Sequence, residues 1–79
     1  MPDSHDAVLS QTCEIIGDAL GREPVPADAS PETIEEWDSI AHLNIVMSLE
    51  AAFGVTFDPE EIAELVTPEA IATRVEAKR

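Results

Sequence analysis

Asp38-Ser39-Ile40-Ala41-His42-Leu43-Asn44-Ile45-Val46-Met47-Ser48-Leu49-Glu50-Ala51-Ala52-Phe53-Gly54 is the stretch on which the fold turns. Its opening pair reads as a helix cap, because an Asp or Ser there accepts a hydrogen bond from an amide that the first turn leaves unpaired. Gly54 reads as the stop, since glycine takes the left-handed conformation of a helix C-terminus with least strain. No proline and no other glycine lies between them, so the spacing predicts a helix over 39–53. Its apolar residues form two stripes. Ile45, Val46, Leu49 and Phe53 make a seam suited to a core, whereas Ile40, Leu43 and Met47 recur at three- and four-residue steps of their own. On so small a domain a second stripe is either part of a wide buried face or a docking surface, and periodicity leaves both open.

Upstream, Val8, Leu9, Thr12, Cys13, Ile16, Ala19 and Leu20 repeat at helical spacing. They predict a first amphipathic helix from about position 4 to 20, with Asp3 or Ser4 as its cap and Gly21 as its stop. Between the two helices, prolines at 24, 26 and 31 break any periodicity, and Val25, Ile34 and Trp37 are placed to pin this long connection to the core. Downstream, Asp58-Pro59-Glu60-Glu61 sets a cap, a first-turn proline and a capping-box glutamate in order, predicting a short third helix through about Leu65. Thr67-Pro68-Glu69 repeats the start signal at once. The last helix turns Ile71 and Val75 inward and ends among Arg74, Lys78 and Arg79, as the helix dipole favours. Val55-Thr56-Phe57 alternates like a strand but is too short for a sheet. The expected fold is all-α: one domain over 1–79, a small irregular four-helix bundle of three longer helices and one short one, with a long loop between the first two.

Seventy-nine residues suffice for one domain, and a deep catalytic cleft is not expected in it. Hydrophobic residues make up 44% of the chain, enough for a core despite the charge, and only Trp37, Phe53 and Phe57 are aromatic. Seventeen acids oppose four bases, for a formal charge of −13. Such a field repels phosphate backbones and anionic headgroups, so neither nucleic acid nor a bare membrane is expected as a partner. From position 23 to 73 there is no Lys or Arg, and this acidic middle should attract basic protein surfaces. The lone Cys13 offers no internal disulfide and reads as core packing. Without a spanning apolar run or a basic signal region, the chain is expected to be soluble, cytoplasmic and monomeric.

Asp38, Ser39 and His42 contain the residue types of a hydrolase triad. A triad, however, needs an imidazole bridging serine and carboxylate, with partners brought from separate elements, and residues this close around one helix start have no evident means of holding that line. No G-x-S-x-G elbow accompanies them, and His5 falls in what the sequence suggests is a mobile N-terminus. No catalytic residue is therefore expected. Glu60, Glu61 and Glu64 lack calcium-loop spacing and read as a solvated acidic face, so no metal site is expected. Ser39 differs by position: at a helix mouth, free amides and the dipole favour an attached anion such as a phosphodiester. The plainer reading is that Asp38-Ser39 only caps the helix.

Taken together, Asp38-Ser39-Ile40, the continuation Leu43-Asn44-Ile45-Val46-Met47-Ser48-Leu49-Glu50, Phe53-Gly54-Val55, the acidic segment from Asp58 through Leu65 and the stretch Ile15-Ile16-Gly17-Asp18-Ala19-Leu20-Gly21 resemble the acyl carrier proteins of fatty-acid and polyketide synthesis. The resemblance covers nearly the whole chain. It implies that Ser39, next to the motif residue Asp38, is esterified with 4′-phosphopantetheine by a separate phosphopantetheinyl transferase, and that the arm's thiol holds the cargo as a thioester. It also implies a carrier without catalysis of its own, serving a cargo-loading ligase or acyltransferase and then downstream biosynthetic enzymes with basic docking surfaces. Leu43 and Met47 would then face partners or cargo, which makes the stripe of Ile40, Leu43 and Met47 the docking surface, edged by Glu50, Glu60 and Glu61.

Three positions depart from many fatty-acid carriers: Ala41 and Asn44 stand where those have acids, and Trp37 where they have a glycine or a small or aliphatic residue. The departures resemble discrete carriers of specialised pathways, whose cargo is a polyketide extender, a glyceryl unit or an aminoacyl group. The competing expectation is an unmodified acidic helical adaptor that uses the same apolar stripe to bind proteins.

Overall fold

A computed structural model describes residues 4–78 of the chain, which form four helices: α1 (Ser4–Leu20), α2 (Ser39–Phe53), α3 (Pro59–Glu64) and α4 (Pro68–Lys78). The order, the all-α class and the bounds of the first two helices are those the sequence predicts, and α3 stops one residue short, with Leu65 as its C-cap. The expected cap at Asp3 lies outside the described residues.

Each helix end has a local cause. Asp38, in extended conformation, accepts a hydrogen bond from the Ala41 amide at 2.8 Å, so Asp38 and not Ser39 is the N-cap of α2. Gly54 closes the helix at φ 66°, its amide donating to the Glu50 carbonyl. At α3 the Glu61 carboxylate reaches back to the Asp58 amide at 2.8 Å, the glutamate half of a capping box. Thr67 accepts from the Ala70 amide at 3.0 Å and opens α4.

Packing centres on α1, which lies against both α2 and α4. Ile16, Ile45, Leu49, Ile71 and Val75 are completely buried, and Val8, Cys13, Val46 and Phe57 belong to the same cluster. The long connection is folded onto this core: Val25, Ile34 and Trp37 are buried as expected, and hydrogen bonds around Ser30 and Thr33 shape its middle. Phe53 differs from its assignment to the core seam. It is half-buried, packed against the cluster rather than within it. His5, expected in a mobile segment, is instead docked on α4. Its ring contacts Glu76 and Glu69 of α4, at 2.7 Å for the Nε2–Glu69 pair, and ties the start of α1 to the last helix.

Candidate functional site

The mouth of α2 is where the chemistry of this chain can reside. Because the Asp38 side chain takes the capping role, the Ser39 side chain is left exposed, and no hydrogen bond to it is found among the described residues. An accessible hydroxyl therefore stands in the first turn of a fifteen-residue helix, where free amides and the dipole favour a negative group bonded to it.

Beside it lies an open, mainly apolar cleft of about 550 Å³, lined by Pro31, Trp37, Asp38, Ser39, His42, Leu43, Ala63 and Val66. Its near wall comes from the end of the long connection and α2, its far wall from α3 and the turn after it. The apolar lining extends outward into a surface patch. Ile40, Leu43, Met47 and Val66 are 73%, 56%, 66% and 40% exposed, which decides between the two readings of the second stripe: it is outside the core. Val66 escaped sequence reading. The available signal was the pair Leu65-Val66 in front of a new helix cap, where only one of two apolar neighbours can turn inward; Leu65 does.

His42 stands in this cleft, but not as a catalyst. Its Nδ1 accepts the Trp37 indole N–H at 3.0 Å, and its Nε2 lies 2.8 Å from the Ile62 carbonyl. An indole nitrogen only donates, so Nδ1 has no proton and Nε2–H donates to the carbonyl. Both ring nitrogens are committed elsewhere than to Ser39, and the Asp38 carboxylate is engaged as a cap, so the three do not form a triad. The bridge was not legible from sequence, where His42 suggested only the rejected triad.

The acids assigned to the docking edge divide. Glu50 accepts from the Phe57 amide at 2.8 Å and is half-buried. Glu61 is held by Lys78 at 2.9 Å, by Arg74 at 3.2 Å and by the Asp58 amide, and the first of these with the amide bond keeps its carboxyl below the usual range. Glu60 is exposed. Cys13 is buried in the core, and burial pushes its thiol up, away from the reactive thiolate. None of the helices among the described residues is long and apolar enough to cross a membrane.

An exposed serine outside any triad, at a helix mouth beside an apolar cleft, suits a hydroxyl that is modified by another enzyme. Comparison with known proteins agrees. Residues 10–75 match the family described as "phosphopantetheine attachment site". The chain is 41% identical over 64 residues to the anthracycline acyl carrier protein DauA of Streptomyces sp. (strain C5), and equally to the anthracycline acyl carrier protein DpsG of Streptomyces peucetius, covering 76% of each chain in both comparisons. These matches disfavour an unmodified adaptor. The chain belongs to the acyl carrier protein family, whose members hold phosphopantetheine and carry acyl groups without catalysing their reactions.

Proposed function

We propose that Ser39 is the residue to which phosphopantetheine is attached. The observation that supports this best is the division of labour at the α2 N-terminus: Asp38 caps the helix, and the neighbouring hydroxyl is exposed at the mouth of the cleft. The group, when bound, supplies the thiol that forms the thioester. This chain's residues supply a phosphodiester seat at the helix start, an apolar resting place between Trp37, Leu43, Ala63 and Val66, and a docking face of Ile40, Leu43 and Met47.

A phosphopantetheinyl transferase, a loading ligase or acyltransferase, and later biosynthetic enzymes would approach that face with basic surfaces. Glu60 offers them a free charge, while Glu50 and Glu61 contribute to the field from positions already engaged within the molecule. Since two relatives are anthracycline carriers, we infer a cargo from a specialised pathway rather than from housekeeping lipid synthesis. The carrier would act in the cytoplasm as a monomer kept apart from its copies by its charge.

The test is incubation with coenzyme A, Mg²⁺ and a broad-specificity transferase. The protein should gain the mass of one phosphopantetheine, and Ser39→Ala should lose that gain with its helical circular dichroism intact. No gain with several competent transferases, or modification of another residue, would reject Ser39.

A further inference from the structure

We propose that His42 is a positioning residue: its imidazole clamps the connection before α2 to α3 and thereby sets the width of the cleft beside Ser39. What the cleft receives rests on the reading of Ser39 given above; the clamp itself stands on geometry. Trp37 is only 2% exposed, and its indole N–H, a donor without acceptor capacity, is costly to bury unpaired. It is satisfied by His42 Nδ1 at 3.0 Å, the two rings stacked with centroids 6.1 Å apart. That bond fixes the proton on Nε2 and aims it at the Ile62 carbonyl, 2.8 Å away.

The carbonyl sits near the end of a six-residue helix with no fully buried residue of its own, too short to be stable without tertiary support. Toward α4 that support comes from Glu61, through Arg74 and Lys78. Toward α2 it comes from the His42 Nε2–H bond. Because Ala63 follows Ile62 directly and lines the far wall with Val66, while Trp37 and Leu43 line the near wall, one imidazole spans the two sides. Releasing either nitrogen lets the walls part, and the arm loses a defined resting place.

The substitutions separate hydrogen bonding from bulk. Phenylalanine keeps a ring and offers neither atom, whereas glutamine carries an acceptor and a donor on one carbon, as the imidazole does with Nδ1 and Nε2. Trp37→Phe removes the indole donor together with part of the buried ring. In ¹⁵N-labelled parent protein, the ring nitrogens of His42 should show the Nε2–H tautomer, and the indole N–H of the single tryptophan should exchange slowly with solvent. Phosphopantetheine attachment, verified by mass, should shift the amide resonances of Ala63 and Val66. In His42→Phe the indole should exchange at least about tenfold faster, and the attachment-dependent shifts should vanish; His42→Gln should restore both, and Trp37→Phe should lose the shifts. If His42→Phe does not fold, Trp37→Phe and the nitrogen spectrum of the parent decide. A proton on Nδ1 in the parent overturns the clamp, as do attachment-dependent shifts persisting in folded His42→Phe or Trp37→Phe, or a folded His42→Gln that fails to restore them. Absence of any mass gain in the parent would instead remove the reading of Ser39, and the nitrogen spectrum of the unmodified protein would still test the clamp.

Discussion

Gly17 occupies a helix interior where alanine would ordinarily be worth about 1 kcal/mol, yet a methyl there would lie 2.4 Å from the Glu23 carbonyl oxygen and 2.9 Å from the Pro24 Cα. The obstacle is backbone, so something must move. Overpacking of that kind costs about 1–3 kcal/mol, and Gly17→Ala is expected to lower the melting temperature; a rise would show that the connection after α1 can lift away freely. Thr12 poses the opposite case. It is completely buried, and its hydroxyl has no hydrogen-bond partner among the described residues. An unsatisfied buried hydroxyl costs about 1–3 kcal/mol, and valine replaces it with nearly the same shape. Thr12→Val should therefore raise the melting temperature, by about 4–8 °C for each kcal/mol recovered; an unchanged or lower value would mean that the hydroxyl is paired. Neither prediction was legible in the sequence. Thr12 fits the apolar period of α1, but periodicity says only which way it points, and the constraint on Gly17 exists because a later segment returns across it. For the same reason sequence showed Trp37 as an anchor without showing that His42 satisfies its N–H.

At the scale of elements, α2 separates stability from recognition on its two faces. Capping and periodicity made the helix legible, since the signals at Asp38 and Gly54 act within one turn. Deciding what the Ile40, Leu43 and Met47 stripe does required the resemblance, because a buried face and a docking face have the same period, and the exposures then placed it outside the core. Leu49 is completely buried, so Leu49→Ala should cost about 2–5 kcal/mol of stability, read as a large fall in melting temperature. Leu43→Ala and Met47→Ala should leave melting nearly unchanged and weaken binding to the transferase by about ten- to a hundredfold, chiefly through faster dissociation, as expected for about 1–3 kcal/mol of lost apolar burial. A folded Leu43→Ala or Met47→Ala variant that binds as tightly as the parent would remove this stripe from the interface. The edge charges were less legible than the stripe. A glutamate in sequence looks equally free wherever it stands, but Glu50 holds the Phe57 amide and Glu61 holds α3 to α4.

Across the whole molecule the governing quantity is the formal charge of −13, with Arg22, Arg74 and Lys78 each placed against carboxylates. Self-repulsion of the remaining acids opposes compaction, and salt that shortens its range should raise the melting temperature; equal melting in low and in several hundred millimolar salt would dismiss repulsion as a limiting factor. His5 adds a contribution with its own pH dependence. Both of its ring nitrogens face carboxylates, Glu76 on one side and Glu69 on the other, which only an imidazolium can satisfy as a double donor. The hydrogen bond to Glu76, then that to Glu69, raises its pKa above 6.5. A raised folded value means that the native state binds the proton more tightly than the unfolded chain does. The resulting stability is fully present below the unfolded value and is lost as pH rises through the folded one. Glu61 has the opposite sign: its pKa is lowered from 4.5, so its contribution is present above that value and is lost as pH falls through the depressed one. Both contributions coexist between 4.5 and 6.5, where the ties of α4 to α1 and to α3 are all in place. His5→Gln should therefore melt below the parent by the widest margin at about pH 6, and the gap should shrink as pH rises above 6.5 through the raised folded value. Salt should narrow the gap at pH 6 while raising both melting temperatures, because it screens the attraction at His5 along with the repulsion everywhere else. Thermal melts of the two proteins at these pH values, in low and high salt, decide the matter: a gap that stays constant with pH would show that His5 stabilises by packing alone, without the charge that joins the first helix to the last.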